Sequence, residues 1–147
     1  MKILISSTPN ILLVDDNHDG LLVRRCLLEE IGCCVQTAPN GEEGLKLFQA
    51  ATFDVVVTDY RMPRMNGAEL IQRIRLLEPN ARIILLSGFV EPLGLTEQNT
   101  GADAVIAKSA SEPAHLVRTV KRLVNRAVRK PPGSQKALKA NAQAIGQ

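Results

Sequence analysis

The sequence predicts an α/β domain in which helices cover a doubly wound, parallel sheet of five strands. Three observations lead to this prediction. Five apolar segments of strand length alternate with five segments of helical spacing along the 147 residues. The strand segments are apolar at nearly every position, which is typical of strands that are buried on both faces. Right-handed crossovers between such strands place helices on both sides of the sheet.

The first half of the chain contributes three strands and two helices. The strand segments are residues 11–14, 33–38 and 54–58. Between them, helices are predicted at 17–31, which Gly32 ends, and at 41–51, which Asn40 caps. The residues that recur at helical spacing in the first helix are Leu22, Val23, Cys26, Leu27, Glu30 and Ile31.

The second half of the chain contributes two strands and three helices. The strand segments are residues 82–88 and 104–107, and the helices are predicted at 67–77, at 91–100 and after Ser111. Asn66 and Glu69 have the spacing of a capping box, while Pro92 and Gly94 weaken the middle helix. The apolar stripe of the last helix consists of Leu116, Val117, Val120, Leu123, Val124 and Ala127.

The composition fits one globular domain, but its charge is unevenly distributed. Apolar residues make up 45% of the chain and charged residues 22%, which is ordinary for a soluble domain. Residues 1–112 carry 10 Lys or Arg and 15 Asp or Glu, whereas residues 113–147 carry 8 Lys or Arg and no acid. We therefore predict a domain at residues 10–128 and a basic, disordered tail at residues 129–147.

The N-terminal segment and the cysteines predict a cytoplasmic protein. No apolar run reaches the length of about 18 residues that a membrane span needs. Pro9 and Asn10 break the short N-terminal apolar patch, so a signal peptide is not expected. Cys33 and Cys34 are adjacent and lack the spacing of a zinc or CxxC site, so the cysteines are interpreted as small apolar residues.

Polar residues follow four of the five predicted strands. Asp15 and Asp16 follow the first strand, and Asp59 follows the third. Ser87 lies at the end of the fourth strand and Lys108 follows the fifth. Ligands of open α/β sheets bind outside the carboxyl ends of the strands. We therefore expect three carboxylates, a hydroxyl and an ammonium group to converge on one crevice.

This set of groups predicts magnesium-dependent phosphoryl transfer. Three neighbouring carboxylates raise one another's pKa unless a cation lies between them, and Mg²⁺ prefers oxygen ligands. One carboxylate can then act as the nucleophile, while the metal and a lysine neutralise the phosphoryl oxygens. Asp59 is the expected nucleophile because a rigid strand presents it.

Each of these residues also has a simpler interpretation. Asp16 alone could cap the first helix, Lys108 alone could be a solvated surface charge, and Ser87 alone could be a loop hydroxyl. Their occurrence together at the ends of four strands favours the functional interpretation. A phosphatase of the haloacid dehalogenase type also uses an aspartyl nucleophile, but it needs a second Asp where this chain has Arg61.

Four motifs resemble the receiver domain of two-component response regulators over about residues 10–128. In order, they are "ILLVDDN", "VVVTDYRMPRMNG", "IILLSG" and "VIAKS". The resemblance implies a flavodoxin-like (βα)5 fold with strand order 2-1-3-4-5. It also implies that Asp59 accepts a phosphoryl group from a histidine kinase or a small phosphodonor.

The resemblance further implies a role for each residue around the acceptor. Asp16 would bind Mg²⁺ directly, and Asp15 would assist through water. The backbone carbonyl of Arg61 would be a further metal ligand, as would Asp59 itself. Ser87 would donate a hydrogen bond to the phosphoryl group, and Lys108 would pair with it.

Two positions depart from the family's pattern. Val105 replaces an aromatic switch residue, and Ser109 replaces the proline that follows the lysine in a cis peptide bond. A cis bond before a residue other than proline costs about 3 kcal/mol. The Lys108–Ser109 bond is therefore expected either to be strained or to be trans with a shifted loop. Both departures put the usual signalling route through the fifth strand in question.

We predict a stand-alone receiver rather than an enzyme. The 35 residues after Glu112 are too few for an output domain, so we expect the chain to bind a downstream protein or to relay the phosphoryl group. The expected donor is a sensor histidine kinase or a phosphotransfer protein, and the expected state is a monomer or weak dimer. The alternative is a pseudo-receiver that binds a partner constitutively. Nucleic-acid binding by the basic tail is disfavoured, because the tail has no aromatic residue or binding motif.

Overall fold

The sheet has five parallel strands in the order β2-β1-β3-β4-β5, as predicted. The computed structural model describes residues 8–88 and 90–128. The strands are β1 (Asn10–Val14), β2 (Cys34–Ala38), β3 (Val55–Asp59), β4 (Ile83–Ser87) and β5 (Ala104–Ala107). The helices are α1 (His18–Glu30), α2 (Gly41–Ala50), α3 (Gly67–Leu77), α4 (Val90–Leu93), α5 (Glu97–Thr100) and α6 (Glu112–Val128). The predicted tail, residues 129–147, lies outside the described residues.

The strand register places the carboxyl ends of β1, β3, β4 and β5 at one level. Val14 at the end of β1 pairs with Thr58 of β3, and Asp59 pairs with Leu86 of β4. Ser87 at the end of β4 pairs with the last residue of β5. The residues that end or follow these strands therefore lie side by side along one edge of the sheet.

Two apolar cores lie on opposite faces of the sheet. The first core joins α1 and α6 to alternate strand residues such as Ile11 and Val57. The second joins α3, with partly buried residues of α2, to the intervening strand residues such as Leu12 and Val56. Successive strand residues face opposite sides, and the strands β3 and β4 are buried at every position. The prediction of a doubly wound sheet is confirmed.

Asparagine residues cap the N-termini of α1, α2 and α3. The side chains of Asn17, Asn40 and Asn66 accept hydrogen bonds from the third residue beyond them. At α3, the Glu69 side chain also accepts from the Asn66 backbone N–H at 2.9 Å, which completes the predicted capping box. Asn17, and not Asp16, caps α1, so Asp16 does not have the capping role that was considered for it.

The predicted single helix at 91–100 is wrong, because two four-residue helices occupy this segment. Gly94 separates them in the left-handed region at φ +64°, which an uninterrupted helix does not allow. Thr96 then caps α5, accepting from the Asn99 backbone N–H at 3.0 Å. Only Thr100 of α5 is buried. This part of the chain contributes less to the cores than α3 does.

The helix α6 follows its predicted pattern. Leu116, Val120 and Leu123 are fully buried, and Val124 packs against them from a partly buried position. Ala127, which ends the predicted stripe, lies outside the described side chains. Among the helices of residues 8–88 and 90–128, none combines the length and apolar character that crossing a membrane requires.

Candidate functional site

Three aspartates meet at the carboxyl ends of β1 and β3. A carboxylate oxygen of each of Asp15, Asp16 and Asp59 lies within 4.8 Å of the other two. Asp15 and Asp59 are buried, with 3% and 6% of their surface exposed, while Asp16 is exposed. The cluster therefore has one open side, on which Asp16 faces solvent.

The cluster lies in a pocket that contains every residue predicted for the site. The pocket has a volume of about 320 Å³. Its lining residues are Asp15, Asp16, Asn17, Asp59, Arg61, Ser87, Gly88 and Lys108. Asn17 and Gly88 also have local roles, since Asn17 caps α1 and a Cβ at Gly88 would meet no atom within 4 Å. The space above Gly88 leaves the pocket accessible.

Lys108 is in direct contact with the predicted acceptor. Its Nζ lies 2.7 Å from Asp59 Oδ1 and 3.9 Å from Asp15 Oδ2. Its backbone N–H donates to the Ser87 carbonyl at 2.9 Å, which extends the pairing of β4 with β5 by one residue. The peptide bonds of the described residues are all trans. The bond between Lys108 and Ser109 is therefore trans, and the lysine still reaches the acceptor.

The pKa of Asp59 is raised above its ordinary value of 3.8, and burial is the main cause. The hydrogen bond and charge of Lys108 lower the pKa, while the charges of Asp15 and Asp16 raise it. Burial and the like charges together outweigh the lysine. A further cation beside the three carboxylates would favour the ionised form, which is the nucleophilic one.

The residues present fit a magnesium ion. All three carboxylates offer oxygen ligands, and the exposed side of the cluster leaves room for the waters that Mg²⁺ usually keeps. Asp15, Asp16 and Asp59 would hold the ion. Arg61 lines the same pocket with an exposed side chain, and the role of its backbone carbonyl as a ligand stays a prediction. Ser87 is buried at the end of β4 and lines the pocket beside Lys108.

One arginine that the sequence pattern did not indicate joins this site to α6. Arg24 Nη1 lies 3.1 Å from Asp15 Oδ2, and Arg24 Nη2 lies 2.8 Å from Glu112 Oε1. Burial alone would lower the pKa of Arg24, but the bond to Glu112 and the charges of both acids raise it. The guanidinium group therefore stays charged at this buried position.

The helical spacing did not indicate this arginine, because α1 buries a different face from the one that the spacing of its apolar residues predicted. Leu22 and Val23, which the helical spacing included, are 46% and 62% exposed. The buried residues of α1 are Leu21 and Leu28, and Arg24 lies on the same face at the i+3 position. A charged residue at an inward position of a helix is the signal that could have identified it.

Comparison with known proteins agrees with this geometry. The sequence model described as the response regulator receiver domain matches residues 11–121. A response regulator receiver protein of Anaeromyxobacter sp. (strain Fw109-5) is 36% identical over 106 residues, which cover 71% of this chain and 44% of that protein. The chain thus spans less than half the length of this relative.

Two solved structures that contain TrrA, a response regulator protein of Thermotoga maritima, are also similar. One is the response regulator protein TrrA in complex with Mg²⁺ and BeF, with a TM-score of 0.71 and 33% identity, covering 79% of this chain and 99% of that one. The other is the histidine kinase ThkA in complex with TrrA, with a TM-score of 0.71 and 33% identity, covering 80% of this chain and 99% of the matched chain. The sequence match, the strand order and the pocket agree, and the chain belongs to the family of response regulator receiver domains of two-component systems.

Proposed function

We propose that the protein is a receiver that accepts a phosphoryl group on Asp59 in a Mg²⁺-dependent reaction. The observation that carries the proposal is the placement of the Asp59 carboxylate, 2.7 Å from Lys108 Nζ and within one oxygen cluster with two other aspartates. The matched TrrA structures, which contain Mg²⁺ with BeF and a histidine kinase, support the choice of metal and of donor. The donor is a phosphohistidine of a kinase or phosphotransfer protein, or a small phosphodonor.

The reaction uses groups that already face one another in the pocket. An Asp59 carboxylate oxygen forms a bond to phosphorus, and the bond from phosphorus to the donor's nitrogen or oxygen breaks, its electrons leaving with the donor. Lys108 then exchanges its contact with Asp59 for one with a phosphoryl oxygen, and Ser87, which lines the same pocket, would donate a hydrogen bond to the phosphoryl group. When bound, Mg²⁺ would neutralise the charge that accumulates on the phosphoryl oxygens.

The consequence of phosphorylation belongs to the same proposal. Phosphorylation changes a protein-binding surface of the domain, or the phosphoryl group is relayed to a phosphotransfer protein. Turnover is limited to self-phosphorylation and slow hydrolysis, so the protein is not an enzyme in the usual sense. Its cytoplasmic location stays a prediction from the sequence.

Intact-protein mass spectrometry tests the proposal directly. The wild type is incubated with acetyl phosphate or phosphoramidate, with Mg²⁺ or with EDTA. We expect a mass gain of one phosphoryl group only with Mg²⁺, and no gain in Asp59→Asn. Asp19→Asn is the matched control, because Asp19 is exposed in the first turn of α1 and is not part of the cluster. This variant should be phosphorylated like the wild type.

A pseudo-receiver is the second candidate, and two residues favour it. Val105 replaces the aromatic switch residue, and the trans bond before Ser109 departs from the family's usual loop. If neither donor nor a phosphorylated histidine kinase modifies Asp59, this second candidate replaces the first. A partner that binds the wild type and Asp59→Asn equally well would then be expected in a pull-down.

A further inference from the structure

Arg24 links the acidic pocket to the first turn of α6 through a chain of ion pairs. Its guanidinium contacts Glu112 through two nitrogens, Nη2 to Oε1 at 2.8 Å and Nε to Oε2 at 3.3 Å. Its third nitrogen, Nη1, donates to Asp15 Oδ2 at 3.1 Å. The two acids are 97 residues apart in sequence, on β1's end and on α6, so the arginine joins two separate parts of the fold.

The three linked side chains are shielded from solvent. The side chain of Arg24 is 13% exposed, that of Glu112 is 7% exposed and that of Asp15 is 5% exposed. Solvent ions screen buried charges much less than exposed ones. The charges of Arg24 and Glu112 therefore act on the neighbouring pocket with little screening by salt.

Gly20 of α1 leaves room for the guanidinium group of Arg24. A Cβ at Gly20 would lie 2.9 Å from Arg24 Nη1 and 3.3 Å from Asp15 Oδ2. Glycine is a poor helix former, and here its missing side chain leaves the room that the ion pair occupies. The adjacent Arg25 makes an ordinary surface pair with Glu29, with side chains 46% and 44% exposed.

Arg24 affects the pocket through its positive charge more than by orienting the Asp15 carboxylate. Asp15 is also held by the backbone N–H of Asn17, which donates to Oδ1 at 2.9 Å, and by Lys108 at 3.9 Å from Oδ2. These two contacts also orient the carboxylate. The positive charge of Arg24 beside the Asp15 oxygen nevertheless opposes the binding of a further cation. The two contacts with Glu112 offset that charge.

We propose that Arg24 and Glu112 regulate the affinity of the acidic pocket for Mg²⁺, Arg24 by lowering it and Glu112 by restoring it. A change in the first turn of α6, which contains Glu112, thereby changes the affinity of the site for Mg²⁺. The proposal rests on the proposed function, since it concerns the metal that phosphorylation requires. Coupling between two sites is reciprocal, so Mg²⁺ binding also changes the free energy of the contact between Arg24 and Glu112.

Isothermal titration calorimetry with MgCl₂ alone tests this proposal on the full chain. Glu112→Gln keeps the shape of the side chain and removes its charge, and we expect its Mg²⁺ Kd to rise about fivefold, because one negative charge near the pocket is lost. Arg24→Met should lower the Kd by about the same factor. The double variant with Arg24→Met and Glu112→Leu removes one charge of each sign and should bind Mg²⁺ within about twofold of the wild type.

Arg25→Met is the matched control, because it makes the same chemical change one residue away at an exposed pair. It should leave the Kd unchanged. Equal Kd values for the wild type and Glu112→Gln would overturn the proposal, and would leave Arg24 and Glu112 as a purely structural pair. Arg24→Met leaves Glu112 buried without its partner and could unfold the chain, in which case Glu112→Gln and the double variant decide. A wild type that binds no Mg²⁺ would overturn the proposed function as well.

Discussion

The two faces of the sheet make contact with the site through different interactions. On the face covered by α1 and α6, charged side chains reach the pocket, with Arg24 joining Asp15 to Glu112. On the face covered by α2 and α3, the contact with the pocket is made by the packing of backbone atoms. There the first residue of α3, Gly67, donates its N–H to the Tyr60 carbonyl at 2.7 Å and lies against the backbone of Asp59.

This difference separates two properties of the receiver. Packing at α3 determines where the backbone of the predicted acceptor lies, and packing does not depend on salt or metal. The ion pairs at α1 and α6 determine the charge around the acceptor, and charge changes when a cation binds. We therefore expect the stability lost by substitutions such as Arg75→Met on the α3 face to be independent of Mg²⁺, and substitutions of the charged residues on the α1 face to change metal binding.

Gly67→Ala should produce the largest effect. An added Cβ would overlap the Asp59 carbonyl oxygen and would lie 2.7 Å from Leu85 Cδ1 and 2.9 Å from Tyr60 Cα. Because two of these neighbours are backbone atoms, the strain cannot be relieved by a rotamer change, and we expect a loss of about 3 kcal/mol in the free energy of unfolding. Urea denaturation measures this loss.

Gly88→Ala is the control for that substitution. It lies in the pocket, but its added Cβ would meet no atom within 4 Å. The free energy of unfolding should therefore change by less than about 0.5 kcal/mol. If both variants lost the same stability, the close packing of α3 on the Asp59 backbone would not be the cause.

Arg75→Met should produce an intermediate effect that is independent of Mg²⁺. Arg75, in the last turn of α3, donates to backbone carbonyls and to Asp103, which lies 3.1 Å from its Nη2. The carbonyl oxygens that accept from it belong to Pro79, Ala81 and Gly101. Losing these bonds at a partly exposed position should cost about 2 kcal/mol.

The control is Arg73→Met on the exposed side of the same helix, which should cost less than about 0.5 kcal/mol. Thermal melts with EDTA and with Mg²⁺ should show the same loss for Arg75→Met. A loss that grew or shrank with Mg²⁺ would mean that the α3 face is also linked to the site by charge, and the comparison between the two faces would fail.

Residue type and spacing predicted most of the fold. Alternating strand and helix segments predicted the five strands to within one or two residues, because strands buried on both faces leave a continuous apolar signal. The capping box of Asn66 and Glu69 was predicted because it depends only on local spacing. The break at Gly94 was not, since whether a glycine takes a left-handed conformation or continues a helix is decided by tertiary packing.

The candidate site was predicted for the same reason that the fold was. All its residues end or follow strands, so the topology alone brings Asp15, Asp59 and Lys108 together. Arg24 and Glu112 could not be found in this way, because they lie 88 residues apart on two helices whose relative rotation no spacing rule gives. The rotation of α1 became clear only from the burial of Leu21 and Leu28.

Asp59→Asn should change stability less than Gly67→Ala and Arg75→Met do, and the sign of the change depends on pH and metal. The pKa of Asp59 is raised in the folded chain, mainly by burial, so without metal the ionised carboxylate is less favourable in the folded state than in the unfolded state. This penalty is absent below the ordinary carboxyl pKa of 3.8, where both states are neutral. The penalty develops as the pH rises through the raised pKa of the folded state.

Asparagine is neutral at every pH, so in EDTA the variant should melt at a higher temperature than the wild type at neutral pH. The gain should shrink as the pH falls toward the acid range and should be smaller than the loss for Arg75→Met. With Mg²⁺ the order should reverse, because the ion stabilises the wild type by binding its folded state and the variant lacks one of the three carboxylates. Asp19→Asn, which lies outside the cluster, should show neither effect. If Asp59→Asn melts below the wild type in EDTA at neutral pH, the stabilising contact with Lys108 outweighs the cost of burying the Asp59 carboxylate. The ionised carboxylate would then not destabilise the metal-free folded state.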